Sequence, residues 1–201
     1  FSYIYTLLSK EKAMNYVPED VSPQSVDLLA QQLDRGVNCP STSSMGRLFD
    51  AVSALLGVCT HTSYEAQAAI ELESVSAEAN MEAAAYPFAI ESTDEKHVVQ
   101  LQDMMAHLLD DVQRGQSRSA IGWRFHRTMA DLIVAVCRRI SQSTGLDTVA
   151  LSGGCFQNRI LLRMSIPALR EAGFKVLLHR QVPCNDGCVS LGQALVAHFS
   201  Q

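Results

Sequence analysis

Three short segments hold the residues whose types and spacing could do chemistry. In the first, residues 149–158 (VALSGGCFQN), an apolar stretch runs into Gly153 and Gly154 and then into a helical pattern. Glycines without a Cβ let a ligand lie against the backbone, and their amides can point at phosphate oxygens. The helix that follows would add free N–H groups and the positive end of its dipole. Asn158, near that helix start, can donate and accept at once. The spacing matches neither GxGxxG nor GxxxxGK[ST], so neither a Rossmann fingerprint nor a P-loop is indicated. A tight turn with an asparagine cap would present the same pattern. In the second segment, residues 182–192 (VPCNDGCVSLG), Asp186 also falls after a strand and before a helix, where ligands of open α/β sheets bind. Its carboxylate could hold a hard cation or cap the helix. In the third, residues 43–57 (SSMGRLFDAVSALLG), Gly46 and Asp50 stand one helical turn apart. A carboxylate there can accept both hydroxyls of a ribose, and the glycine permits close approach; an Asp50 facing solvent beside Arg47 is the plainer alternative.

The elements that must position these residues follow from periodicity and punctuation. Residues 1–16 fit one helix, and a second starts at Val21-Ser22-Pro23 and stops before Gly36. Over residues 45–56, Met45, Leu48, Phe49, Val52, Leu55 and Leu56 share a buried stripe, with Gly46, Asp50 and Ser53 on the opposite face. Another helix is expected over 65–79, short strands over 86–90 and 97–101, and a helix over 102–112. The longest helix should span 120–143 with Phe125, Met129, Leu132, Ile133, Val136 and Ile140 inward, ended by Gly145. The remainder alternates: strand 148–151, helix 157–171, strand 175–179, helix 187–199. Strand–helix–strand–helix with short connections predicts a parallel pair in an α/β layer.

Composition narrows the class. With 47% hydrophobic and 18% charged residues over 201 positions, the chain can bury a proper core. No apolar run reaches the roughly 18–20 residues of a membrane span. The opening residues carry no secretory signal, and the absence of an initiator Met suggests a start inside a longer protein. The cysteines at 39, 59, 137, 155, 184 and 188 form no CxxC pair, so reduced thiols in a cytoplasmic protein are expected. The net charge of −5 is uneven: residues 65–111 hold eleven acidic residues against Lys96 alone. No basic stripe with interleaved aromatics argues for nucleic-acid binding. The histidines at 61, 97, 107, 126, 179 and 198 form no HxxxH or HExxH pair and read as surface or packed residues.

Taken in order, SSMGRLFDAVSALLG, SYEAQAAIELE, LSGGCFQNRILL and VPCNDGCVSLGQAL resemble the carbamoyltransferase HypF family, over about residues 41–75 and 117–200. The related tRNA threonylcarbamoyl-transfer ATPases share shorter versions of three of these blocks, and Tyr64-Glu65…Gln67 favours HypF over them. The resemblance implies an α/β chain, one lobe of an actin/sugar-kinase/Hsp70-like ATPase fold with a largely helical insertion. It implies three stretches: an opening helical segment (1–40), a helical ATP-site segment with an acidic insertion (41–116), and an α/β nucleotide and metal subdomain (117–201). It further implies ATP and carbamoyl phosphate as substrates, a carbamoyl-adenylate, and transfer to the C-terminal cysteine of a HypE-type acceptor in hydrogenase maturation. Carried over by motif, Asp50 matches the ribose-binding residue, Gly153 and Gly154 the phosphate-side glycines, Asn158 the nucleotide-binding asparagine and Asp186 a metal ligand. Glu65 and Gln67 fall in a block near the nucleotide. The chain departs from the pattern at Ala66, where glycine is usual and where a methyl group could narrow the site. The metal would be Zn, Fe or Mg, with paired histidine ligands upstream of these residues, so an isolated chain is expected to be inactive. Two alternatives are another ATP-dependent O-carbamoyltransferase of the same fold, acting on a small hydroxylated substrate, and a non-catalytic nucleotide-binding or docking module.

Overall fold

Capping serines and left-handed glycines bound the helices of this mixed α/β chain. The computed structural model describes residues 1–19, 21–79, 84–93 and 96–200. Helices α1 (Ser2–Leu7) and α2 (Lys10–Met14) are separate, where one helix was expected. Ser9 explains the break: its hydroxyl accepts from Lys12 N, which caps a new helix and takes the backbone out of the first. In α3 (Pro23–Arg35), Ser22 caps the start and Gly36, at φ 64°, ends it. Ser44 caps α4 (Met45–Leu55) by accepting from Arg47 N. After α5 (Gln67–Ser76), strands β1 (Ala89–Ser92) and β2 (His97–Gln100) pair antiparallel, and α6 (Gln102–Gln113) follows. Tyr86, expected inside the first strand, precedes it. Its ring is buried under the Arg124 guanidinium, and its hydroxyl donates to Asp111 Oδ2 at 2.7 Å.

The long helix α7 (Arg118–Thr144) runs from the Ser117 cap to Gly145. Strand β3 (Thr148–Leu151), helix α8 (Arg159–Glu171) and strand β4 (Lys175–Leu178) form a layer of two parallel strands with a connecting helix, with Thr148 opposite Lys175 and Leu151 opposite Leu178. Helix α9 (Val189–Phe199) closes the order and buries none of its residues.

The main core gathers Phe49 and Val52 of α4, Leu72 of α5, Leu108 of α6, Phe125 of α7 and Leu161 of α8. A smaller cluster of Val134, Leu151, Leu169 and Phe174 seats the β3–β4 pair. Two expectations about faces fail. Ser53 is fully buried, because α5 packs along the side of α4 assigned to solvent. Ile140 is 41% exposed, because α7 outruns the core it covers. Gly122 of α7 lies where α5 comes closest: a Cβ there would run into Ser76 Oγ.

Candidate functional site

Helix α4 carries Gly46 and Asp50 to the turn that follows β3. The turn is a 3-10 segment, Gly154–Gln157, entered through Gly153 at φ 106°, a conformation only glycine adopts without strain. Helix α4 packs against this turn, and a Cβ on Gly46 would lie 4.0 Å from Cys155 Sγ. Burial pushes the Cys155 thiol up, and the nearby Asp50 carboxylate adds to it, so the sulfur stays a protonated thiol and not a nucleophile. Asp50 is half-buried and pairs loosely with Arg47 at 3.6 Å. The same carboxylate raises the Tyr3 hydroxyl, after burial. Asp50 is therefore no isolated surface charge.

Gly154 and Cys155 open the 3-10 turn, so their amides have no acceptor within it. A Cβ on Gly154 would meet nothing within 4 Å, which leaves open space in front of this backbone. Helix α8 offers less than its sequence suggests. Arg159 N donates to Glu73 Oε1 of α5 at 2.8 Å, and Leu161 N donates to Asn158 Oδ1 at 2.8 Å. Two of the N-terminal donors of α8 are thus used within the protein. Asn158 is 8% exposed, and its Nδ2 faces His126 Nε2 at 2.8 Å.

The loop bearing Asp186 is tied to the same turn. Gly153 N donates to Cys184 O at 2.6 Å, and His179 Nε2 lies 2.9 Å from Ser152 Oγ. Asn185 caps the short 3-10 turn Asp186–Cys188 by accepting from Gly187 N, so Asp186 itself is not the cap. The Asp186 carboxylate is exposed and makes no hydrogen bond or ion pair with a described residue. Among the described residues, no group of three or more His, Cys, Asp or Glu side chains could hold a metal ion. One carboxylate from this chain fits a cation only as part of a larger ligand set.

The block at Glu65 and Gln67 is joined to the site indirectly. Gln67 Oε1 accepts from Ser63 N at 2.7 Å, and Gln67 Nε2 donates to Glu71 Oε1 at 2.7 Å. Glu71 and Asp50 both act on the buried Cys59 thiol, whose pKa rises chiefly through burial. Glu65 is exposed and hydrogen-bonds to no described residue. Between them Ala66 holds φ 62° and ψ 10° at the N-cap of α5. That left-handed backbone supplies a physical reason for a glycine there: the conformation, and not only the room, favours it.

Sequence reasoning passed over Tyr3 and Glu73, and it read His126 as a surface or packed residue without its partner; the structure buries it. The spacing of His126 from Gly122, Phe125 and Met129 marks a core-facing position of α7. Its partner, 32 residues away, could not be read from spacing. Among the described residues, no helix is long and apolar enough to cross a membrane.

A parallel strand pair, each strand feeding a short 3-10 turn and then a helix, fits one lobe of an actin/sugar-kinase/Hsp70-like fold. A family model described as carbamoyltransferase, Kae1-like domain, second subdomain, matches residues 1–193. The chain is 35% identical over 186 residues to carbamoyltransferase HypF of Synechocystis sp., and 38% identical over 182 residues to a carbamoyltransferase HypF homolog of Cupriavidus necator. These alignments cover 92% and 88% of this chain, but 23% and 46% of those proteins. A crystal structure of full-length HypF in the phosphate- and nucleotide-bound form matches with a TM-score of 0.87 at 37% identity, over 98% of this chain and 25% of that one. A crystal structure of T. kodakarensis HypF shares the fold, at a TM-score of 0.82 and 24% identity, over 99% of this chain and 26% of that one. The chain belongs to the HypF carbamoyltransferase family.

Proposed function

We propose that this chain forms one wall of the nucleotide site of an ATP-dependent carbamoyltransferase. The observation that carries the reading is the meeting of α4 with the Gly153–Gly154 turn, which puts Gly46 and the Asp50 carboxylate beside the opening amides of a 3-10 turn. Asp50 would accept the ribose hydroxyls, and Gly154 N and Cys155 N would face phosphate oxygens. Asn158 would add a side-chain donor, with Glu65 and Gln67 at the margin. The matching HypF structure, in its phosphate- and nucleotide-bound form, supports a nucleotide at this fold.

In this reading the complete protein carbamoylates the C-terminal cysteine of a HypE-type acceptor through a carbamoyl-adenylate made from carbamoyl phosphate and ATP. Asp186 supplies one ligand to a divalent cation, Zn, Fe or Mg, whose other ligands come from the rest of the polypeptide. The exposed Val189, Leu195 and Phe199 of α9, a helix that buries none of its residues, would rest against the first subdomain of the Kae1-like domain. The protein works in the cytoplasm. Asp50→Ala in the full-length protein tests the central claim. Losing a charge-assisted ribose bond should weaken ATP binding roughly ten- to a hundredfold, read by calorimetry, with the fold intact. Unchanged affinity would remove Asp50 from the site.

A further inference from the structure

His126 has no part in the reading above, yet it is fully buried on α7, edge-on to Phe49 of α4 at 5.3 Å between ring centroids. Its Nδ1 lies 2.7 Å from Gly122 O and its Nε2 lies 2.8 Å from the Asn158 amide nitrogen, while Asn158 Oδ1 accepts from Leu161 N. This chain of three bonds is fixed from both ends, because Leu161 N can only donate and Gly122 O can only accept. Leu161 N must meet the oxygen of the Asn158 amide, so the amide nitrogen faces His126. That nitrogen donates, so His126 Nε2 accepts, and the single ring proton resides on Nδ1. One N–H of Asn158 then remains without a use in this chain of bonds.

We infer that His126 is a positioning residue for the nucleotide site: it anchors the Asn158 amide so that the remaining N–H is held ready for a nucleotide oxygen. The inference rests on the nucleotide reading. The cap bond from Leu161 N alone would restrain only the oxygen of the amide. The second anchor at His126 fixes the nitrogen as well, which removes the ordering cost from the binding step. Phe49, packed on the imidazole, precedes Asp50 on α4, so the same ring buttresses both candidate ligand residues.

The test uses the full-length protein, with its histidines, asparagines, aspartates and glycines isotope-labelled, and Mg·ATP as the probe in NMR titrations that read binding directly. The wild-type spectrum should show the Nδ1–H tautomer of His126 and slow solvent exchange of the one Asn158 side-chain proton bonded to His126. His126→Leu removes both bonds and should weaken Mg·ATP by about tenfold. His126→Gln, whose amide can accept from Asn158 and donate to Gly122 O, should return the affinity to within about threefold of wild type. Folded His126→Leu that binds as tightly as wild type overturns the inference. Should that variant fail to fold, the wild-type spectrum still decides: an Nε2–H tautomer, or fast exchange of both Asn158 side-chain protons, overturns it. Failure of the nucleotide reading looks different. The His126 and Asn158 signatures would be present, but Mg·ATP would leave the Asp50 and Gly154 signals unmoved, and the role inferred for His126 would fall with that reading.

Discussion

Acidification should destabilise this chain through His126, by an amount the structure sets. Burial lowers the His126 pKa from 6.5 to about 4, and the bond to Gly122 O offsets only part of that. A native imidazole that resists protonation leaves stability intact above the unfolded-state value. As pH falls below about 6.5 the unfolded chain takes up a proton that the folded chain refuses, so stability declines until about pH 4 and then levels off. A difference of about 2.5 pH units corresponds to about 3 kcal/mol in all, of which about 2 kcal/mol falls between about pH 7 and pH 5. That is a large part of the ~5–15 kcal/mol typical of a domain. The donor pattern acts in the same direction as burial: a protonated ring would set an Nε2–H against the Asn158 amide nitrogen, donor against donor.

Urea unfolding followed by the fluorescence of Trp123, the single tryptophan and a residue of α7, measures this directly. Carboxylates also titrate in the range, so the informative quantity is the difference between wild type and His126→Gln, which keeps an acceptor for Asn158 but cannot titrate. Wild type should lose about 2 kcal/mol more than the variant between about pH 7 and pH 5. Parallel stability curves for the two proteins would refute the argument, because they would mean that His126 is solvated or differently bonded.

The other predictions separate binding from folding. A Cβ on Gly154 meets nothing within 4 Å, so Gly154→Ala should melt within about 1 kcal/mol of wild type yet weaken Mg·ATP in the full-length protein, checked by thermal denaturation and calorimetry. Ala66→Gly relieves the left-handed backbone at φ 62° and should raise stability by about 0.5–1 kcal/mol in urea melts. Asn185, not Asp186, caps the last 3-10 turn, so Asp186→Asn should fold within a few tenths of a kcal/mol of wild type. In the full-length protein, elemental analysis should show that this variant has lost its divalent metal.

Much of this architecture was legible because it is written locally. Ser22, Ser44 and Ser117 announce helix starts, and Gly36 and Gly145 announce ends, each through a bond or dihedral confined to a few residues. The parallel β3–β4 pair was equally readable from short connections around a covering helix. What escaped depends on partners distant in sequence. Ser53 reads as polar and outward until α5 is laid against it, and its buried hydroxyl finds no partner among the described residues. Asn158 reads as a free donor and acceptor until Leu161 N and His126 claim its two ends. Ala66 reads as a crowding methyl until its backbone dihedrals appear.

The same contacts bear on what else the proposed site requires. Glu73 and Asn158 occupy two of the α8 donors, so the helix end cannot act as an open anion cradle. Asp50 acts on Cys155 of the turn, Glu73 accepts from Arg159 N just beyond it, and the Arg47 guanidinium is drawn to Asp50. Two backbone amides and one asparagine N–H are few donors for a triphosphate, whose charge they leave largely uncompensated. A divalent cation would supply that compensation. The unpaired Asp186 carboxylate, two residues beyond the carbonyl that receives Gly153 N, lies on the loop where such a cation could be shared between phosphate and protein. The bond from Gly153 N to Cys184 O ties the turn to the Asp186 loop, so in the proposed site the turn would give shape and the carboxylate would recruit charge.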